Sequence, residues 1–406
     1  MFIITKFFGT QFANLFIKKE MIMKITDNIK YIGVDDTTLD LFESQYMIPN
    51  GISYNSYLIL DDKIAIMDCV DKRKEAQWLA NLTEVLAGKT PDYLIVHHME
   101  PDHSGCIEHL MHSYPDMQIV TSARAVQMLS QFFVDTDFSN RTITIKEGDT
   151  LSLGKHTLQF IMAPMVHWPE VFVSYEQSEK ILFSADAFGK FGALSHEEEW
   201  ACEARRYYFN ICGKYGAQVQ ALLKKVSALD VSQICPLHGP ILHENLGYYM
   251  SLYDTWSSYK PEAEGVFIAY ASIHGNTANA ACAIADMFRA AGVKVSLADL
   301  SRDDMAEAIE DAFKYDRMIV AASSYDGDLF PPMYDFLHHL QLKNYQSRKV
   351  GIVENGSWAP SAGRIMRKML EEMKDITIAS PMVTLRSALK PSDMERVQTL
   401  VTEMSK

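Results

Sequence analysis

Hydrophobic positions along the chain follow two rhythms. From about Ile25 to Tyr248, short apolar segments read as strands, some in hairpin-like pairs: SYLIL (Ser56–Leu60), IAIMD (Ile64–Asp68), TITI (Thr142–Ile145), LQFIMA (Leu158–Ala163) and KILFSAD (Lys180–Asp186). Helical patterns lie between them, such as KEAQWLANLTEVLAG, where Gly88 is the expected C-terminal cap. From Gly265 strand and helix alternate regularly. The strands are GVFIAYAS, VKVSLADL, RMIVAASS, KVGIVENG and ITIASPMVTL, and the helices are Asn276–Ala291, Asp303–Phe313, Pro332–Leu340, Ser361–Met373 and Ser392–Met404. Continuous apolar strands joined by helices predict a parallel, doubly wound sheet buried on both faces. The join falls in SSYKPEAEG (Ser257–Gly265), where polar residues, a Pro and a Gly interrupt both patterns.

Length agrees with this division: 406 residues suggest two or three domains at roughly 150 residues each. The expected domains are residues 23–260 and 261–406, with 1–22 as an N-terminal extension. That extension is apolar but broken by Lys6, Lys18 and Lys19, so neither a membrane helix nor a signal peptide is expected. A formal net charge of -14 gives no basic face for phosphates, so nucleic acid is not an expected partner. Six cysteines without a CxxC pair read as reduced thiols of a cytoplasmic protein.

The densest chemical signal is YLIVHHMEPDHSG (Tyr93–Gly105). A buried strand runs directly into His98, Glu100, Asp102 and His103, and in an extended chain His98, Glu100 and Asp102 would share a face. Such a group is costly to bury unless a cation neutralises it. His167 in VHWPE, Asp186 ending KILFSAD and His238 in ICPLHGP each lie at a strand end. Together they give four imidazoles and three carboxylates, enough for two metals with one bridging carboxylate. His97 reads as a core residue or one standing behind the ligands.

The second half carries three loops at the carboxyl ends of its strands: Ser272-Ile273-His274-Gly275-Asn276-Thr277, Ser324-Tyr325-Asp326-Gly327 and Asn355-Gly356-Ser357-Trp358. The first opens a helix and forms an anion cradle. It lacks the Lys of a nucleoside-triphosphate loop and the G-x-G-x-x-G of a dinucleotide fold, so a monophosphate fits better. Tyr325 and Trp358 are placed to flank a flat ring.

The order His-x-Glu-x-Asp-His, His, Asp, His resembles the metallo-β-lactamase fold, whose hydrolases carry a second His where Glu100 stands. Imidazole mixed with several carboxylates suits iron. With the HWP that begins at His167, the pattern resembles the flavodiiron proteins (A-type flavoproteins), and the three later loops resemble flavodoxin. The implied fold is a metallo-β-lactamase-like αβ/βα sandwich followed by a flavodoxin-like sheet. The resemblance implies one iron on His98, Glu100 and His167, another on Asp102, His103 and His238, and Asp186 bridging. It implies FMN held through its phosphate at the first loop, with its ring between the other two. The implied activity is reduction of oxygen to water or nitric oxide to nitrous oxide, with electrons from a small donor such as rubredoxin. The implied assembly is a head-to-tail homodimer or homotetramer. With no Cys-x-x-Cys pair, the minimal two-domain form without a fused rubredoxin is expected. The alternative is a dizinc hydrolase carrying a flavodoxin domain.

Overall fold

The computed structural model describes residues 25–406, so the expectation for residues 1–22 lies outside the described residues. The chain divides into two compact units. One comprises residues up to Ala204 and Ala221–Tyr249, the other Arg205–Gln220 and Met250–Lys406.

The first unit contains two sheets. The six-stranded sheet runs in the order Ile29–Tyr31, Tyr57–Ile59, Ala65–Met67, Tyr93–Ile95, Gln118–Ser122, Thr142–Ile145; its last three pairings are parallel. The five-stranded sheet runs Thr150–Ser152, Thr157–Met162, Phe172–Glu176, Ile181–Phe183, Gln233–Cys235. Ile59, Met67, Ile95 and Val120 of the first meet Leu158, Phe160, Phe172 and Phe183 of the second in one dry core. Strand ends of both sheets therefore reach a common edge. The expected helix spans Glu75–Leu86, but its left-handed cap is Ala87 (φ 48°), one residue before Gly88 (φ 85°). The Ala87 N–H closes the helix on the Thr83 carbonyl at 3.2 Å.

In the second unit a parallel sheet runs Val295–Asp299, Ala263–Ala271, Tyr315–Tyr325, Lys349–Asn355, then the fifth strand. The fifth is not continuous as expected; it breaks into Thr377–Ile378 and Val383–Leu385, because Pro381 has no N–H to give the ladder. Helices Asn276–Ala290 and Met394–Met404 cover one face through Ala281, Ile284, Phe288, Leu400 and Met404. On the other face Phe336 of helix Pro331–Leu342 meets Phe267 edge-on at 6.2 Å.

Residues Arg205–Gln220 group with this second unit for a visible reason. The Arg205 guanidinium donates to both oxygens of Glu262 (2.6 and 2.7 Å) and to Glu310 (2.7 Å), all largely buried. Phe209 stacks on Phe313 at 4.1 Å. Among the described residues no helix is long and apolar enough to cross a membrane, and all six cysteines are free.

Candidate metal centre and flavin cavity

The strand Tyr93–Ile95 ends three residues before His98, and Pro101 then opens a short helix, Pro101–Ser104. This corrects one expectation. Proline is favoured at the first helical position, so Asp102 and His103 turn away from the extended segment and Asp102 does not share a face with His98 and Glu100. Side chains that could hold a metal fall into two groups: His98, Glu100, His167 and Asp186, and Asp102, His103 and His238.

Within the first group the Nε2 atoms of His98 and His167 stand 3.2 Å apart, and Glu100 Oε2 lies 3.1 and 3.0 Å from them. Within the second, the Nε2 atoms of His103 and His238 are 3.0 Å apart, each 3.3 Å from Asp102 Oδ2. Asp186 faces both groups. Its Oδ2 is 3.3 and 3.1 Å from His98 and His167, while its Oδ1 is 3.3 and 3.7 Å from His103 and His238.

These distances fit coordinated ions. Ligand atoms about 2.1 Å from one ion lie roughly 3.0–3.4 Å from each other in octahedral or tetrahedral arrangements. The polar atoms point the same way, since the buried Oδ2 of Asp102 and Oδ1 of Asp186 face imidazole nitrogens at 3.3 Å or more, and Asp102 Oδ1 is buried with no hydrogen bond among the described residues. Without a cation, protons must stand in. Burial disfavours charge on His98 and His167. The carboxylates outweigh it: Asp186, Glu100 and Glu170 raise His98 well above the usual imidazole range, and Asp186 and Glu100 raise His167 to about 9. Burial likewise opposes ionisation of Asp186, yet the His98 charge and the His103 and His167 bonds hold it well below the carboxylate range.

Two supports were invisible as motifs. His98 Nδ1 bonds Glu170 Oε1 at 2.7 Å, and the Met99 N–H donates to the same oxygen at 2.9 Å. His238 Nδ1 bonds the Ser53 carbonyl at 2.7 Å. Each bond leaves Nε2 facing the centre, as metal-binding imidazoles require. Glu170 lies inside VHWPE, three residues after His167; Ser53 acts through its backbone and carries no side-chain signal. A cavity of about 370 Å³ opens onto Glu100 and Asp102, lined also by Leu39, Phe42 and Tyr54.

In the second unit the three loops meet around a cavity of about 590 Å³. Ser272, His274, Asn276, Thr277, Ser324, Tyr325, Asp326, Gly327, Asn355, Gly356, Ser357 and Trp358 all line it. Gly275 sits between two lining residues at φ 85°, a backbone region that disfavours side chains, and its N–H donates to Ser272 Oγ at 3.1 Å. The first N–H groups of helix Asn276–Ala290 are free of helical partners by geometry and supply an anion cradle. Thr277 Oγ1 is 3.0 Å from Ser323 Oγ and accepts from Asn355 Nδ2 at 3.3 Å, so the loops are tied together. The rings of Trp358 (87% exposed) and Tyr325 (45% exposed) stand uncovered at the rim. A phosphate cradle below and bare aromatic rings above fit a flavin mononucleotide.

Sequence reasoning missed Ser387, which lines the same cavity from beyond the fifth strand. Its N–H donates to Asn355 Oδ1 at 3.0 Å, and its carbonyl accepts from Asn355 Nδ2 at 2.8 Å.

The fold and the two sites define a class: a metallo-β-lactamase-like metal unit joined to a flavodoxin-like unit. Residues 52–239 match the family described as ODP family beta lactamase, and residues 268–395 match flavodoxin. A nitric oxide reductase of Moorella thermoacetica is 31% identical over 92% of this chain and 95% of its own length. An anaerobic nitric oxide reductase flavorubredoxin of Vibrio vulnificus is 28% identical over 83% of this chain and 70% of its own. Among solved structures, the rubredoxin oxygen:oxidoreductase of Desulfovibrio gigas superposes with a TM-score of 0.87 at 25% identity, covering 94% of this chain and 97% of that one. The chain belongs to the flavodiiron protein family, whose cofactors are FMN and a pair of non-haem irons.

Proposed function

We propose that this protein is an oxidoreductase that reduces nitric oxide or oxygen, taking electrons through FMN from a small carrier such as rubredoxin. The observation that carries the reading is Asp186, whose two oxygens face two separate histidine pairs in a chain that also builds a flavin cavity. In this reading His98, Glu100 and His167 would hold one iron and Asp102, His103 and His238 the other, with Asp186 placed to reach both. When bound, an iron pair would supply redox chemistry toward a diatomic gas, with FMN as its electron source.

The chain's own residues do the rest. Glu170 and the Ser53 carbonyl orient His98 and His238, and the carboxylates around them balance cationic charge. In the second unit the helix N-terminus and Thr277 would hold the phosphate, while Tyr325 and Trp358 would flank the ring. Glu100 in place of a second imidazole, with the flavodoxin match, favours this reading over a dizinc hydrolase. We assign domain limits at 23–260 and 261–406, a cytoplasmic location consistent with six free cysteines, and a head-to-tail homodimer or homotetramer.

The test is metal and flavin content of anaerobically purified protein, then oxygen and nitric oxide uptake with reduced rubredoxin. Two irons and one FMN per chain with gas uptake are expected, and the faster gas names the substrate. Iron-reconstituted protein that consumes neither gas would overturn the reading.

A further inference from the structure

His97 belongs to neither ligand group, yet both of its ring nitrogens are bonded. Asp68, just past strand Ala65–Met67, takes a left-handed backbone (φ 54°) uncommon for a residue with a side chain. Its Oδ1 accepts the His97 N–H at 2.8 Å and its Oδ2 meets His97 Nδ1 at 2.5 Å. His97 Nε2 lies 2.7 Å from Ser174 Oγ, on strand Phe172–Glu176 of the opposite sheet. The carboxylate can only accept, so Nδ1 carries the proton, and in the neutral ring Nε2 then accepts from the Ser174 hydroxyl. Asp, His and Ser in this order resemble an acyl-transfer triad. Ser174 is sealed at 0% exposure among core residues, and no substrate reaches it.

What the chain of bonds touches is the frame of the centre. His97 precedes His98, and Cys69, after Asp68, bonds the His103 carbonyl through its N–H and Sγ, both at 3.0 Å. The Asp68–Cys69 turn thus holds the backbone at one member of each ligand group. Ser174 adds a tie to the second sheet, whose incoming segment carries Glu170.

Resting on the reading that both groups bind metal, we propose that Asp68, His97 and Ser174 are positioning residues that set the separation of the two groups. The second cation then enters a site already at its final spacing. The test uses the full chain with FMN retained, stripped of metal and titrated with cobalt(II), read by d–d absorption and chelator competition. Wild type takes two cobalt ions. His97→Phe keeps the ring against Phe172 but removes both polar bonds; it should weaken the second cobalt about tenfold and alter the spectrum, as loss of such supporting partners does. His97→Asn, which can still donate to Asp68, should recover most of that loss. Should His97→Phe not fold, Ser174→Ala removes a single hydroxyl and should show the same spectral change in smaller degree. Cobalt titrations and spectra of the folded variants that superpose on wild type, with only the melting temperature lowered, make His97 a packing residue and overturn the proposal alone. Fewer than two cobalt ions in wild type overturns the paired-metal reading and the proposal together.

Discussion

Replacing Glu170 tests how much the centre depends on a residue that touches no metal. One oxygen, Oε1, accepts from His98 Nδ1 at 2.7 Å and from the Met99 N–H at 2.9 Å, with the side chain fully buried. Glu170→Gln keeps an acceptor facing His98 and Met99, removes the charge and sets an amide NH2 at the buried position of Oε2. A hydrogen bond to a charged group contributes roughly 1 kcal/mol more than a neutral one. At about 1.4 kcal/mol per tenfold, iron at the His98 group should therefore bind some fivefold more weakly. Glu170→Ala removes the acceptor, leaves the Met99 N–H buried without it and frees the His98 tautomer. The loss should reach 10- to 100-fold, about 1.4–2.8 kcal/mol. The assay is iron retained against a graded chelator series, with FMN absorbance in the same sample as an internal control. Wild-type affinity in Glu170→Ala, or a larger loss in Glu170→Gln than in Glu170→Ala, refutes the argument.

Other outcomes follow from the same geometry. Glu100→Ala or Asp186→Ala should abolish iron and gas consumption while leaving FMN absorbance intact; turnover retained in either removes the metal assignment. Asn276→Ala with Thr277→Ala should lower flavin retention on dialysis at unchanged iron content, and equal flavin occupancy would mean that the phosphate sits elsewhere. In the metal-free protein His167 titrates near 9 when folded and near 6.5 when unfolded. Its protonation stabilises the fold fully below pH 6.5, and that stability, on the order of 3 kcal/mol, is lost as pH rises through 9. Thermal melts of metal-free protein should fall over this range and those of iron-loaded protein should not; a rising metal-free profile would contradict the assignment.

Much of the site was legible because its side chains stand at strand ends in short runs. His98 to His103 occupy six consecutive positions, and each flavin loop directly follows an apolar strand. What escaped was long-range. Glu170 is 72 positions from His98, and Ser387 is 32 from Asn355, so neither pair leaves a local pattern. Alternation put Asp102 on the face of His98; the turn that Pro101 opens put it with His103 and His238 instead. The fifth strand failed as a continuous element for a local reason, Pro381, that the apolar run around it concealed. At the first helix a glycine was in sight, yet Ala87 took the strained cap one residue earlier.

The flavin cavity draws its lining from Ser272 through to Ser387, the first loop of its sheet to the last. No shorter stretch of the second unit can present the cradle, both rings and the Asn355–Ser387 clasp together. During synthesis, then, the flavin has no complete seat until Ser387 has left the ribosome. A complete seat thereby marks a chain made at least as far as Ser387, and a product truncated before it lacks the clasp that closes the seat.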